Sequence, residues 1–474
     1  MSARIRTLAA LAVLAATAAL LAPPAPASAA PVTITNAVQF RDTAGNPVHA
    51  HGGGILKHGS YYYWFGENRN ADNTFRAVSV YRSTDLRNWE FRNDVLTQSS
   101  AAELQVANIE RPKVIYNAGT GQFVMWMHKE NGVDYGEARA AVAVSATVDG
   151  DYTYRGSFRP LGQHMSRDIT AFVDTDGTGY MISAANENYD LHVYRLTADY
   201  TNTAALVRSW PGDHREAPAL FKRNGVYFML TSGATGWNPN QARYSTATSI
   251  TGTWSAWQNV GDSVTFGSQS TFVLPLGDSF LYLGDRWGNS IGGTVNDSQY
   301  VWLPISFPSA TTMSLSYYPE LSIDAAAGSV TGLTSGYVNL VARHSGKCAD
   351  IVNGDPANNA EAVQYACGTG HNQQFYLKNL GNGYVQVQAR HSARCLDVTS
   401  GDTADGARVI QYACGLGTNQ QWQVQDAGSG YARLVARHSG RCLDVISASA
   451  SDGARLAQYG CNGGANQQWL RRAP

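Results

Sequence analysis

Five polar residues recur at comparable places along the chain: His51, Glu110, Asp168, Glu216 and Gln269, at steps of 59, 58, 48 and 53 residues. Each opens the same pattern, in which an apolar run, a turn and a second aromatic-rich run follow. His51-Gly-Gly-Gly-Ile-Leu leads to Tyr61-Tyr-Tyr-Trp64, and Glu110-Arg-Pro-Lys-Val-Ile-Tyr116 leads to Phe123-Val-Met-Trp126. Asp168-Ile-Thr-Ala-Phe-Val173 pairs with Tyr180-Met-Ile-Ser183, Glu216-Ala-Pro-Ala-Leu-Phe221 with Val226-Tyr-Phe-Met-Leu230, and Gln269-Ser-Thr-Phe-Val273 with Phe280-Leu-Tyr-Leu283. A single Asp or Glu at a strand start usually makes a structural hydrogen bond. Three carboxylates at equivalent places in successive repeats, facing one pocket, could instead divide acid–base work. One would protonate a departing oxygen while another activates water or attacks carbon. Asp174, Asp176 and the Asn224-Gly225 pair have turn composition and are read as turn residues only.

The elements that must position these groups are strands. Residues 31 to about 330 hold no long amphipathic helical pattern; short aromatic or β-branched runs alternate with Asn-Gly, Asp-Gly and Gly-rich turns. Outer strands are marked by Ser83-Thr-Asp-Leu-Arg-Asn-Trp89, Val148-Asp-Gly-Asp-Tyr152 and Ile250-Thr-Gly-Thr-Trp254, which makes each unit a four-stranded blade. Five units predict an all-β, five-bladed β-propeller whose innermost strands begin around one central pocket. A β-sandwich would not explain why every repeat opens on a polar residue.

The N-terminus sets the expected compartment. Arg4 and Arg6 precede an apolar run over residues 8–21, and Ala27-Ser28-Ala29 supplies small residues for cleavage, the pattern of a secretory signal peptide over residues 1–29. The run is shorter than the ~20 residues that span a bilayer, and prolines follow it, which argues against a membrane anchor. A net charge of -1 with no basic cluster argues against nucleic acid or anionic membrane as partners. With 25 Tyr and only 15% charged residues, the surfaces suit stacking on neutral ligands such as sugars.

All six cysteines lie beyond residue 347, in a segment that repeats itself. Arg343-His-Ser-Gly-Lys-Cys-Ala-Asp350, Arg390-His-Ser-Ala-Arg-Cys-Leu-Asp397 and Arg437-His-Ser-Gly-Arg-Cys-Leu-Asp444 recur every 47 residues. Each is followed by Gln-Tyr, a second cysteine, and Asn-Gln-Gln plus an aromatic. Cys348 and Cys367, Cys395 and Cys414, and Cys442 and Cys461 share a separation of 19 residues, so three bridges inside the repeats are the economical pairing among the fifteen that six cysteines permit. No Cys-x-x-Cys pair occurs to favour zinc, and no metal ligand set is assigned. The motif set, over about residues 336–474, resembles ricin-type β-trefoil lectins, grouped as carbohydrate-binding module family 13. The resemblance implies one shallow sugar site per repeat, built from an Asp, an aromatic and an Asn. These fall on Asp350, Tyr365 and Asn372; Asp397, Tyr412 and Asn419; and Asp444, Tyr459 and Asn466. Trp422, Trp469 and Phe375 are expected in the core, and the first repeat departs from the others at Ala349 and Phe375.

Residues 30–330 carry a second resemblance. Arg215-Glu-Ala-Pro-Ala-Leu-Phe221 and Arg167-Asp-Ile-Thr-Ala-Phe-Val173 look like blades of glycoside hydrolase family 43, inverting enzymes on five-bladed propellers. The family's Glu-x-Pro general acid then falls on Glu216, and the Asp that raises its pKa on Asp168. Where most members open the first blade with a catalytic Asp, this chain has Ala50-His51-Gly52-Gly53-Gly54. That stretch, with Tyr63-Trp-Phe-Gly-Glu67, Ile109-Glu-Arg-Pro-Lys113 and Gly267-Ser-Gln269-Ser-Thr-Phe272, is similar to the exo-β-1,3-galactanase branch. The resemblance puts Gln269 where a base is expected. An amide would have to polarise water through its carbonyl or act as an imidic tautomer, and Glu110 is the alternative base. Glu67, Tyr135, Asp168, Thr235 and Trp287 are the implied substrate contacts.

The combined expectation is a secreted, monomeric exo-β-1,3-galactanase that needs no cofactor, inverts configuration and bypasses β-1,6 branches, with a trefoil that binds the polysaccharide. Two rivals stand beside it: another family 43 glycosidase, such as an arabinofuranosidase or xylosidase, and a lectin-like propeller that binds galactan without cleaving it. The segment Ala325-Ala-Ala-Gly-Ser-Val-Thr-Gly332 is expected to be a short flexible joint between the domains.

Overall fold

The computed structural model describes residues 30–474, so the expected signal peptide lies outside the described residues. The described chain is almost wholly β, with only single-turn 3-10 helices between strands. Its first part forms five four-stranded antiparallel sheets, each made of four consecutive strands in sequence order. The first strands of the sheets are His51–His58, Asn108–Asn117, Ile169–Val173, Arg215–Arg223 and Gln269–Leu276. Each packs against the first strand of the next sheet, and the fifth returns to the first, so the five inner strands close a ring. The polar residues that open the repeats therefore come to one end of that ring.

Alternation along the strands explains the stacking. Tyr62 and Trp64 point to one face of the first sheet and join Leu281, Leu283, Tyr300 and Trp302 of the fifth. Tyr63 and Phe65, one residue out of phase, point to the other face and join Phe123, Met125 and Met127 of the second. The same arrangement wedges Trp126 and Val142 against Met181 and Tyr194, Val193 against Met229, and Phe228 against Tyr282. Each sheet buries both faces, which is why its strands read as nearly continuous apolar runs.

Three sequence expectations change here. The segments at 84–89, 148–152 and 250–254 are the turns that introduce the fourth strands, which are Glu90–Thr97, Thr153–Phe158 and Gln258–Asn259. Residues 325–332 are no flexible joint. Glu320–Asp324 and Ser329–Leu333 form a hairpin, and Val32–Thr35 pairs with its first strand to complete a separate three-stranded sheet. His51 opens its strand as expected but is fully buried with its ring stacked on Tyr300, centroids 5.0 Å apart.

The C-terminal part is one 12-stranded sheet system whose three repeats surround a shared apolar core. Phe375, Trp422 and Trp469 are completely buried there, one per repeat. The cystines are Cys348–Cys367, Cys395–Cys414 and Cys442–Cys461, the three pairings that the spacing favoured. The two parts are tied by direct contacts. Tyr317 Oη donates to Gln388 Oε1 at 3.1 Å, Tyr376 Oη to Glu320 Oε1 at 3.1 Å, and Lys378 Nζ to the Ala37 carbonyl.

Candidate active site

At the end of the ring where the inner strands start, the pairing slips right after the polar residue. Register shifts fall between His51 and Gly54, Glu110 and Lys113, Glu216 and Ala219, and Ser270 and Phe272. In three of these bulges a residue is left-handed: Gly52 (φ 61°), Arg111 (φ 52°) and Ala217 (φ 52°). A bulge bends its strand and re-aims the side chain beside it. Two of the three are not glycine, so the geometry is held at a cost in backbone strain, a feature concentrated at functional sites. The result is a pocket of about 270 Å³ that Glu110, Asp168, Glu216 and Gln269 all line. His51 does not reach it. Glu67, which faces His51 across the strand pair, takes that place.

Glu216 is 6% exposed, and both its oxygens are engaged. Gln269 Nε2 donates to Oε1 at 2.9 Å and Asn188 Nδ2 donates to Oε2 at 3.1 Å. Burial, then the negative charge of Asp168, push the Glu216 carboxyl up to about 8 against the pull of Arg111. The group therefore keeps its proton at neutral pH. The Asn188 Oδ1 atom is buried without a partner. A half-turn of that amide would offer it to the Glu216 proton as an acceptor.

Arg111 is the hub. Its Nε meets Asp168 Oδ1 at 2.8 Å, its Nη2 donates to Gln269 Oε1 at 2.5 Å, and its Nη1 donates to the Ser270 carbonyl at 3.0 Å. Asp168 also accepts from the Ala217 amide at 3.0 Å. Gln269 is saturated: Oε1 accepts from Arg111 and from Trp287 Nε1 at 2.7 Å, while Nε2 donates to Glu216 and to Ser232 Oγ at 2.9 Å.

Glu110 belongs to a second charge network. Oε1 accepts from Arg69 Nη2 and Tyr135 Oη, both at 2.7 Å, and Oε2 lies 3.1 Å from His128 Nδ1. Burial works to raise its pKa, but His128 and Arg69 outweigh burial and hold the carboxyl well below the usual carboxylate range. His128 sits between Glu110 and Glu130, whose Oε1 is 2.8 Å from Nε2. Burial lowers it, yet the two carboxylates win and raise it to about 9. Glu67 binds Arg69 through Nε at 3.1 Å and Nη2 at 2.7 Å and accepts the Arg111 amide at 2.9 Å. Burial and the neighbouring Glu110 raise it while Arg69 opposes. One buried wall thus presents an ionised carboxylate, and the other a neutral carboxylic acid.

Glu110, His128 and Asp168 each offer one ligand atom within 4.8 Å of the others, the one such cluster among the described residues. His128 is already held between two carboxylates and Asp168 is paired with Arg111, so the cations facing these groups are side chains of the protein.

Of the other expected contacts, Tyr135 lines the pocket 39% exposed, and Trp287 lines it with its ring against that of Trp237. Thr235 is exposed and outside the lining. Its hydroxyl donates to the Asn238 carbonyl at 2.6 Å and accepts from Asn240, while its neighbours Gly236 and Trp237 face the pocket. Sequence reasoning passed over Arg69, Arg111, His128, Asn188 and Trp237. Arg111 could have been found, because it directly follows Glu110 in a repeat-opening motif.

In the trefoil, Asp350 accepts from Asn372 at 3.0 Å and from Gln373 at 2.7 Å, and Asp444 accepts from Asn466 and Gln467, both at 2.9 Å. Asp397 accepts from Gln420 at 2.8 Å, and Asn419 donates to the Val398 carbonyl at 3.0 Å. Tyr365, Tyr412 and Tyr459 are 49%, 41% and 46% exposed, so each repeat sets an open ring beside a carboxylate pinned by amides. A buried glutamine, Gln373, Gln420 or Gln467, orients the Asp in each set.

Comparison with known proteins agrees with this geometry. Residues 46–270 match the model of glycosyl hydrolases family 43, and residues 336–469 match the ricin-type beta-trefoil lectin domain. None of the curated proteins matches the sequence. Among solved structures, an exo-β-1,3-galactanase from Clostridium thermocellum is 50% identical, with a TM-score of 0.63 over 93% of this chain and 100% of the other. A variant of the exo-β-1,3-galactanase from Phanerochaete chrysosporium, solved with β-1,3-galactotriose, is 30% identical, with a TM-score of 0.64 over 93% of this chain and 92% of the other. A β-1,3-galactosidase solved with galactodeoxynojirimycin is 37% identical, with a TM-score of 0.56 over 60% of this chain and 98% of the other. With residues 46–270 matching that family and relatives 50% and 37% identical covered over 98% or more of their length, the chain belongs to glycosyl hydrolases family 43: it is a glycoside hydrolase of that family that carries a ricin-type β-trefoil lectin domain.

Proposed function

We propose that this hydrolase is a secreted, monomeric exo-β-1,3-galactanase, built as a five-bladed propeller over residues 30–330 with a galactan-binding trefoil over residues 336–474. Its relatives at 50% and 30% identity carry that activity in their names. The observation that carries the chemistry is the Glu216 carboxyl, pushed up to about 8 beside Asp168 at the mouth of the inner strands. Glu216 gives its proton to the departing glycosidic oxygen. Water attacks the opposite face of the sugar and inverts the anomeric carbon. Glu110, which is ionised, takes the proton from that water. Gln269 fixes Glu216 and Arg111, and with Trp287, Tyr135, Glu67 and Asp168 shapes the pocket for a terminal galactose.

The pocket and the trefoil divide the labour. The rings of Tyr365, Tyr412 and Tyr459 stack on sugar faces, and Asp350, Asp397 and Asp444 accept from vicinal hydroxyls. Holding the polymer raises the local concentration of chain ends at the pocket. Three disulfides suit an oxidising extracellular setting, and among the described residues no helix is long and apolar enough to cross a membrane.

Digestion of debranched and native β-1,3-galactan, with chromatography of the products, tests the reading. Galactose alone from the plain chain and branched galacto-oligosaccharides from the native one would support an exo-enzyme that steps over β-1,6 branches. No release from either would remove the galactanase assignment and turn attention to arabinan and xylan.

A further inference from the structure

The loops that wall the active site have a second side. Gly236, Trp237 and Trp287 face the pocket, while the adjoining Asn238, Pro239, Ser290 and Ile291 face away from it into a separate cleft of about 280 Å³. The far wall of that cleft is chiefly the second trefoil repeat, which contributes Arg394, Tyr412 and Cys414, with Asn358 of the first beside them. The walls are pinned together, with the Leu416 amide donating to the Ile291 carbonyl at 3.1 Å.

The lining of this cleft is incompletely satisfied. Arg286 is only 3% exposed, yet of its guanidinium only Nη2 has a partner, the Phe266 carbonyl at 2.8 Å. Nε and Nη1 are buried with none. Arg394, 6% exposed, spends its Nε on Asn358 at 2.7 Å and reaches the Ser392 carbonyl at 3.4 Å, both neutral acceptors. Asp262 is the carboxylate near both arginines, but its Oδ1 is committed to the amides of Val264 and Phe266, and its Oδ2 bonds to nothing. A buried guanidinium with unmet N–H groups is costly unless something completes it. A planar carboxylate matches its fork and completes the unmet N–H groups with charge-assisted bonds, which Asp262 does not make and a neutral group makes more weakly. Tyr412 adds a 41%-exposed ring that can carry a sugar face.

We propose that this interdomain cleft binds a carboxylated sugar, a uronic acid unit, with the carboxylate on Arg286 and Arg394 and the ring on Tyr412. The site is separate from the active-site pocket and from the Asp350 and Asp444 sites of the first and third trefoil repeats. It gives the enzyme a place for an acidic substituent of its polysaccharide while a neutral chain end occupies the pocket. The inference leans on the second repeat as a sugar site but not on which bond the pocket cleaves, so failure of galactan hydrolysis leaves it standing.

Titration of the full-length protein with D-glucuronate and, separately, D-glucose, followed by protein-observed NMR or calorimetry, tests it. The expected result is a preference for glucuronate of tenfold or more that shrinks as salt is added. Arg286→Met should abolish the preference, and Arg394→Gln, which removes a less central partner and tests the site if the first variant fails to fold, should reduce it at least threefold. Equal affinity for the two sugars, no binding of glucuronate, or a preference that survives in Arg394→Gln and in any folded Arg286→Met would overturn the site.

Discussion

The Gln269 amide and the Glu216 carboxyl form one unit: Nε2 of Gln269 donates to Oε1 of Glu216 at 2.9 Å while Oε1 of Gln269 accepts from Arg111 and Trp287. The direction of these bonds matters. With two donors converging on its oxygen, the amide is fixed as an ordinary amide, and an imidic form would point an O–H at two N–H groups. Gln269 is thereby held against Glu216, and the proposed mechanism gives the base role to Glu110, whose oxygens face Arg69, Tyr135 and His128.

Removal of each group should separate the two roles. Glu110→Gln is expected to lower kcat by about 10²–10⁴, the usual span for a general base. Gln269→Glu should keep measurable activity with a shifted pH profile, because the new carboxylate raises the Glu216 pKa further. Steady-state kinetics on β-1,3-galactotriose across pH would check both. Near-normal turnover by Glu110→Gln would return the base role to Gln269.

The Glu216 carboxyl predicts the alkaline limb. An acid must carry its proton to act, and this one loses it near pH 8, so the rate should hold below that value and fall as pH rises through it. Asp168→Asn removes the charge that helps to raise the pKa, so the limb should move to lower pH. Glu216→Gln should lose orders of magnitude in kcat while galactose still binds, measured by turnover and by calorimetry on the same preparation. An alkaline limb that stays in place in Asp168→Asn would rule out the coupling between these two carboxylates.

Much of this was legible in the sequence because it was periodic. The polar residues that open the repeats share one place in successive hairpins, so the ring of inner strands and the pocket followed from spacing, and four of the five reach that pocket. His51 failed because it is fully buried with its ring stacked on Tyr300, and Glu67, which pairs with it across the first two strands of the sheet, lines the pocket in its place. The cationic half of the site was hidden for a related reason. Arg69 reaches Glu110 across 41 positions and Arg111 reaches the Ser270 carbonyl across 159, contacts that the fold creates and that no spacing in the sequence announces. The same holds for the hairpin at 320–333, whose Ala/Gly-rich turn reads as a linker until the N-terminal strand is seen pairing beside it.

His128 links the site to stability. Its folded pKa, raised to about 9, lies above the ordinary value of 6.5. Its stabilising contribution is therefore fully present below pH 6.5 and is lost as pH rises through 9. His128→Gln leaves Glu110 and Glu130 without their shared cation and should cost roughly 3–5 kcal/mol at pH 6, the scale for breaking a buried pair. The deficit should shrink steadily toward pH 10. Chemical denaturation of both proteins at a series of pH values would measure it, and a gap that does not change with pH would mean that His128 is neutral in the folded protein.

Gly52 is the residue that makes room for the carboxylate wall. Its φ of 61° is left-handed, and a Cβ placed there would stand 2.3 Å from Glu67 Oε1 and 3.4 Å from Arg111 Cγ. Backbone strain alone costs an alanine about 1–2 kcal/mol at such a position. The larger effect is on Glu67, whose Oε1 accepts the Arg111 amide at 2.9 Å and whose Oε2 grips Arg69. Gly52→Ala must push that carboxylate away, which loosens Arg69 from Glu110 and Arg111 from Asp168 together. A displacement on the order of 1 Å in such groups can cost 10²-fold in rate. Gly52→Ala is thus expected to melt several degrees lower and to lose about 10²-fold in kcat/KM, with Glu67→Gln losing less in melting temperature because its Arg111 hydrogen bond survives. Thermal melts and galactotriose kinetics on the two variants decide it: a Gly52→Ala protein that melts lower but turns over normally would show that Glu67 supports the fold and does not position the chemistry.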